Sequence, residues 1–180
     1  AAASFACKII NRSGGFSAHV HQRLMIGQVA LYQVPDREQA CQEILNQKDQ
    51  LLEIANQAYP SIVKRGGGAR EIRVEKVSGQ TDFLVVYLHV DTQEAMGANM
   101  LNTMLEALKP HLESLSRGQS LMGILSNYAT ESLVTSSCRI AFHYLSPNKD
   151  EARELADKIV LASHFAQADP YRAATHNKGI

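Results

Sequence analysis

The sequence is short of net charge, of cysteine and of long apolar runs, and each shortage excludes something. Eighteen Lys and Arg face eighteen Asp and Glu, for a formal net charge of zero. That removes the basic footprint of a nucleic-acid binder or of a helix lying on an anionic membrane. The expected partner is a small molecule or another protein chain, with no nucleic acid and no membrane. Cys7, Cys41 and Cys138 are odd in number and widely spaced, so neither a disulfide framework nor a zinc knuckle is suggested, and a reducing, cytoplasmic setting fits. No apolar run reaches the roughly 20 residues needed to span a bilayer, because His89 and Gly123 interrupt the longest candidates. The N-terminal AAASFACKII has neither an initiator Met nor the layout of a secretory signal, and it reads like the interior of a longer chain. The abrupt end at THNKGI reads the same way.

What is present is the balance of a folded protein: 45% apolar and 20% charged residues over 180 positions, enough for one good core with attached pieces. Between Gln22 and Val34, LMIGQVALYQV reads as a strand closed by Pro35-Asp36. From Arg37 to Ala58 the spacing of Ala40, Ile44, Leu45, Leu51, Leu52, Ile54 and Ala55 predicts one amphipathic helix stopped by Pro60. REIRVEKVS and FLVVYLHV, joined near Gly79, predict an antiparallel hairpin. A second helix is expected over Glu94 to Leu115, with Met100, Leu101, Met104, Leu105, Leu108, Leu112 and Leu115 on its apolar face and Pro110 kinking it or ending its regular part. LMGIL then forms a short strand. The order β-α-β-β-α-β, with two helices on one face of a four-stranded antiparallel sheet, is ferredoxin-like and belongs to the α+β class. A further strand over Leu133 to Tyr144 and a helix over Asp150 to Gln167 belong to something else.

Four stretches carry chemistry, each with a plainer alternative. In EAMGAN, Gly97 and Ala98 leave the first amides of a helix uncrowded. Those unpaired N–H groups and the helix dipole suit a pyrophosphate, with Asn99 as a further donor and Glu94 either capping the helix or accepting from a ribose hydroxyl. Close packing of the helix on the sheet explains the same small residues. KRGGGAR, residues 64–70, is a phosphate nest or, as we favour, a turn that needs positive φ. In DPYRAATHNKG, Arg172 offers a fork for a carboxylate and Lys178 a cation for an oxyanion, while Thr175 and Asn177 supply neutral hydrogen bonds; in isolation such a run is a solvated loop. His19 and His21 share a strand face, but no further ligand stands at a recognisable spacing, so no metal is expected.

Taken together, VDTQEAMGANMLNTMLE, LSNYAT and DPYRAATHNKGI resemble hydroxymethylglutaryl-CoA reductase, the bacterial class II form in particular. SGGFSAHVHQRLMIGQV and PSIVKRGGGARE extend the likeness along nearly the whole chain. The resemblance implies an oxidoreductase that reduces HMG-CoA to mevalonate and CoA, or runs the reverse, with NAD or NADP. It passes through a hemithioacetal and mevaldehyde. It also implies a small ferredoxin-like dinucleotide-binding domain over residues 20–130, inserted between pieces of a larger substrate domain at 1–19 and 131–180. Glu94, Met96, Gly97 and Asn99 then bind the cofactor, with Glu94 standing where the family has Asp, and Asn127 lies near the nicotinamide. Arg172 and Thr175 bind the substrate. Lys178 is catalytic, a buried ammonium beside the thioester oxygen where hydride transfer leaves negative charge.

The family's catalytic Glu is expected before Ala1, and its Asp and His after Ile180. The chain is thus expected to be a fragment without turnover of its own. The family also implies a homodimer, or a higher oligomer of dimers. The rival reading is a non-catalytic ferredoxin-like module that binds a ligand or mediates assembly.

Overall fold

The computed structural model describes residues 2–179. Its elements run α1 (Ala2–Arg12), β1 (Ser17–Tyr32), α2 (Arg37–Asn46), α3 (Lys48–Ala58), α4 (Pro60–Lys64), β2 (Gly68–Val77), β3 (Phe83–Asp91), α5 (Ala98–Ser116), β4 (Gln119–Ser126), β5 (Ser132–Ser137), α6 (Phe142–Leu145), α7 (Lys149–Ala168) and α8 (Pro170–Gly179). Contacts divide them into two compact units, Val20–Val134 and the pair of segments Ala1–His19 with Thr135–Ile180.

In the first unit the strands lie in the order β2-β3-β1-β4, every pair antiparallel. β5 pairs with β1 off this path. Alternation along β3 sends Leu84, Val86, Leu88 and Val90 into the core with Val29, Leu31 and Ile72 from its neighbours. α2 and α3 pack on β2 and on α5, and α5 packs on β4. The apolar face expected for α5 is the one used: Met100, Leu101, Met104, Leu105, Leu108 and Leu112 are all buried. Glycines set how close α5 comes to the sheet, since a Cβ at Gly27 would lie 2.7 Å from Leu105 Cδ1 and one at Gly123 would lie 3.1 Å from Leu105 Cβ. Burying these side chains is the main stabilising term.

Several elements differ from the sequence reading. β1 begins at Ser17 and ends at Tyr32, where Gln33 turns to positive φ (+54°). The single helix expected over Arg37 to Ala58 is broken at Gln47, whose φ of −101° and ψ of 16° are not helical. The polar run Asn46 to Gln50 offers no apolar side chain to hold one continuous helix on the core. Asp36 starts α2 by accepting from the amides of Glu38 and Gln39, each at 3.0 Å. Pro110 does not end α5, which continues to Ser116. Pro110 is exposed, so solvent serves the carbonyl that its missing N–H leaves free.

The strand expected over Leu133 to Tyr144 shrinks to β5, and its end is α6, a short helix of the second unit. α7 is capped by Asn148, which accepts from the amides of Asp150 and Glu151 at 2.9 and 3.3 Å. Among the described residues of this unit, Ala152 alone is buried.

Candidate functional site

At the end of β3 the chain makes a tight turn before α5. Thr92, 3% exposed, donates its hydroxyl to the Ala95 carbonyl at 2.6 Å, and the Ala95 amide donates to the Thr92 carbonyl at 3.1 Å. Gln93 takes φ +54° and Gly97 φ +90°. This turn moves the start of α5 to Ala98, beyond the Glu94 expected from sequence. Gly97 is the N-cap residue, and only glycine suits it. Its φ is left-handed, and a Cβ there would fall 2.4 Å from Thr92 Cγ2. No side chain caps the helix, and no acidic residue lies in its first turn. The 19-residue helix therefore presents its leading amides and the positive end of its dipole without compensation from the chain.

Glu94 does not cap α5. Its side chain is 98% exposed and reaches only Arg23 NH1, at 3.9 Å. Met96 is 69% exposed. Asn99, in the first turn, is exposed, and its carbonyl accepts from the Thr103 hydroxyl at 2.9 Å.

Three residues unread at the sequence level converge beside this turn. Asp91, the last residue of β3, accepts from the Gln93 amide at 3.0 Å and from Gln93 Nε2 at 3.1 Å. Arg23 Nε lies 3.5 Å and Arg70 NH2 3.8 Å from its carboxylate. Arg23 also donates to Gln93 Oε1 at 3.1 Å. Two half-exposed guanidiniums thus stand around one mostly covered carboxylate at the foot of an uncapped helix. That arrangement favours an anion. Strand pairing alone joins these residues, since Leu24 pairs with Asp91 and Gly68 with Asp91.

Asn127 is exposed in the turn after β4. Because Ile26 pairs with both His89 and Ser126, Asn127 stands at the same end of the sheet as Asp91 and the start of α5. The glycine loop is a turn. Gly66 and Gly68 take φ of +87° and +112°, the Gly67 amide donates to the Ile62 carbonyl at 3.0 Å, and a Cβ at Gly67 would lie 2.4 Å from the Asp91 carbonyl oxygen.

The residues of DPYRAATHNKG lie on a helix, α8, where a loop was the plain expectation. Asp169 starts it by accepting from the Arg172 amide at 3.0 Å. Arg172 is half-buried. Thr175 returns its hydroxyl to the Tyr171 carbonyl at 2.9 Å, so its hydrogen is engaged by the helix itself. Lys178 is exposed, whereas a catalytic ammonium was expected to be buried; among the described residues nothing covers it. These three belong to the second unit, and Gly97 and Asn127 to the first. No group of three metal-ligating side chains is assembled among the described residues, and no helix is long and apolar enough to cross a membrane.

Comparison with known proteins bears on all of this. The family model for hydroxymethylglutaryl-coenzyme A reductase matches residues 1–180. The 3-hydroxy-3-methylglutaryl-coenzyme A reductase of Archaeoglobus fulgidus is 38% identical over the whole of this chain, and a probable reductase of Borreliella burgdorferi is 32% identical over 65% of it. A solved class II 3-hydroxy-3-methylglutaryl-CoA reductase from Streptococcus pneumoniae, bound to NADPH in open conformations, superposes with a TM-score of 0.95 at 75% identity over 99% of this chain. This chain spans 40% of the Archaeoglobus protein and 48% of the Streptococcus structure. With a family model matched from end to end, the chain belongs to the hydroxymethylglutaryl-coenzyme A reductase family.

Proposed function

We propose that this chain carries the dinucleotide-binding unit, and part of the substrate side, of a class II reductase that converts 3-hydroxy-3-methylglutaryl-CoA to mevalonate and CoA, or runs the reverse. The observation that carries the reading is the uncapped start of α5, with Gly97 at φ +90° and two guanidiniums close by. A relative of 75% identity bound to NADPH supports it. So does the β-α-β-β-α-β order with strands arranged β2-β3-β1-β4, which we read as a ferredoxin-like dinucleotide-binding arrangement. On this reading residues 20–130 are the cofactor domain, and 1–19 and 131–180 belong to the substrate domain.

The residues fit NAD or NADP. The leading amides of α5 at Gly97, Ala98 and Asn99 would hold the diphosphate, Glu94 and Met96 line its approach, and Asn127 lies on the nicotinamide side. When bound, the cofactor supplies hydride. Arg172 would hold the substrate carboxylate with Thr175 beside it, and Lys178 would stabilise the oxyanion, a contribution of several kcal/mol, roughly 3, in comparable sites. An exposed Lys178 needs water excluded around it to act with that strength. We place the enzyme in the cytoplasm as a homodimer or an oligomer of dimers.

The test is direct NADPH binding to the 180-residue chain, by fluorescence or calorimetry, with Gly97→Val as the comparison. Saturable binding weakened by the substitution supports the reading. No binding by the folded chain would favour a non-catalytic module instead. Steady-state assay of the same chain should give no mevalonate, and appreciable turnover would overturn the assignment of essential groups to other segments.

A further inference from the structure

The two outer strands of the sheet are finished differently. β2 carries Arg70, Glu71, Arg73, Glu75 and Lys76, charges of the kind that keep a sheet edge from pairing with another chain. β4, QSLMGILS, carries none, and it exposes Leu121, Met122 and Ile124 by 48% to 53%. Among the described residues it is the last strand on its side. An uncharged edge of eight residues with exposed apolar side chains is a template for strand addition.

What β4 lacks, α5 supplies. Asn102, Glu106, Lys109 and Glu113 recur at helical spacing and fall on one stripe of α5, and that stripe runs along β4. At one end Asn102 Oδ1 accepts from the Leu125 amide at 3.1 Å. At the other Glu113 Oε1 accepts from the Ser120 amide at 2.8 Å and from the Ser120 hydroxyl at 2.6 Å. Between them Glu106 Oε1 and Lys109 Cε come within 3.6 and 3.5 Å of where a Cβ of Gly123 would stand, and the two side chains pair at 2.7 Å. The hydrogen bonds from Ser120, the hydroxyl's foremost, hold the Glu113 carboxyl below the usual carboxylate range, so it stands at the edge as a charge. A backbone amide already donating to a side chain of its own fold is closed to the carbonyl of an incoming strand.

We propose that this stripe is a guard: Asn102 and Glu113 withhold the β4 edge from the β4 of a second copy of this chain. Antiparallel self-pairing repeats one register about a two-fold axis, and with no charge on the strand it sets no like charges opposite each other. A second copy is therefore the partner that fits this edge. The guard acts on the sheet and does not rest on the proposed activity.

The experiment follows association of the 180-residue chain by sedimentation velocity over a concentration series, with urea unfolding as the check on folding. Asn102→Ala combined with Glu113→Ala should associate at a concentration at least about tenfold lower than the parent does. Adding Ile124→Lys, which puts a charge on the freed edge, should restore the parent's behaviour, whereas adding Val77→Lys, at an exposed apolar position on the opposite edge, should not. Glu113→Gln keeps an acceptor oxygen and should associate as the parent does. Unchanged association of the double variant, or equal reversal by both lysines, would overturn the proposal. Should the double variant fail to unfold cooperatively, Glu113→Ala against Glu113→Gln decides it. Association at lower concentration for the alanine alone supports the guard, and equal behaviour of the two overturns it.

Discussion

The unit Val20–Val134 and the unit formed by the chain's two ends contain similar amounts of helix and treat apolar side chains in opposite ways. Apart from Ala152, every buried apolar side chain among the described residues lies in the first unit. In the second, α7 exposes Leu155, Ile159, Val160, Leu161 and Phe165 by 41% to 63%. Apolar content alone does not make a core. In the first unit a sheet face and four helices supply one another with surfaces to bury, whereas α7 and α8 have mainly each other and α6. Stability should therefore be concentrated between Val20 and Val134, and local opening in the helices of the chain's second half.

The sharpest test of that contrast is Leu105→Ala. Leu105 is fully buried and sits against both Gly27 and Gly123, so its truncation should cost about 2–5 kcal/mol by urea unfolding. A loss no larger than that of an exposed α7 residue would break the comparison. Next in size, Gly97→Val should raise the NADPH dissociation constant at least about tenfold. Gly66→Ala, at a φ of +87° but with open space around the new methyl, should cost roughly 1 kcal/mol of stability and leave binding unchanged.

A pH effect comes third. His89 is held neutral in the folded state, with Glu71, Arg73, Tyr87, Glu75 and Glu131 as its titratable or charged neighbours, and its folded pKa lies below the ordinary 6.5. The unfolded chain thus binds the proton more readily. The stabilisation is fully present above about pH 6.5 and is lost as the pH falls from there through the folded pKa. Urea midpoints of the parent should drop over that window, and those of His89→Phe should drop less.

Helix caps come fourth. Asp36→Ala and Asn148→Ala each remove a cap that accepts two amides and should each cost about 1 kcal/mol locally. The first should lower global stability, while the second should appear only as faster amide exchange in α7. Smallest of all, Ile159→Ala, at 55% exposure, should change stability by less than about 0.5 kcal/mol.

Much of the fold was legible because single segments specify it. FLVVYLHV is a strand by composition, and the leucines of α5 fall on one face of a helix wherever the helix begins. The break at Gln47 was not legible, since apolar spacing carries on across it and only the polar run between hints at a stop. The start of α5 was misplaced because the turn before it depends on a Thr92 hydroxyl and two positive φ values rather than on any capping residue. At the candidate site, Gly97 could be found from its small neighbours. Arg23 and Arg70 could not, because strands distant in sequence bring them to Asp91. The exposure of Lys178 was equally hidden, for covering a side chain is a property of packing and leaves no local mark.

The two glycine hollows under Leu105 act as a seat that fixes how far α5 slides along the sheet. Because a helix is stiff along its axis, that seat also sets the height of the amides at its far end, two turns away. On the proposed reading, a methyl group added at Gly27 would lie two turns from the dinucleotide, yet by pressing on the tip of Leu105 it would retune affinity from below. On that reading, the tightness of the cofactor grip is thus decided partly by a leucine that never meets the cofactor.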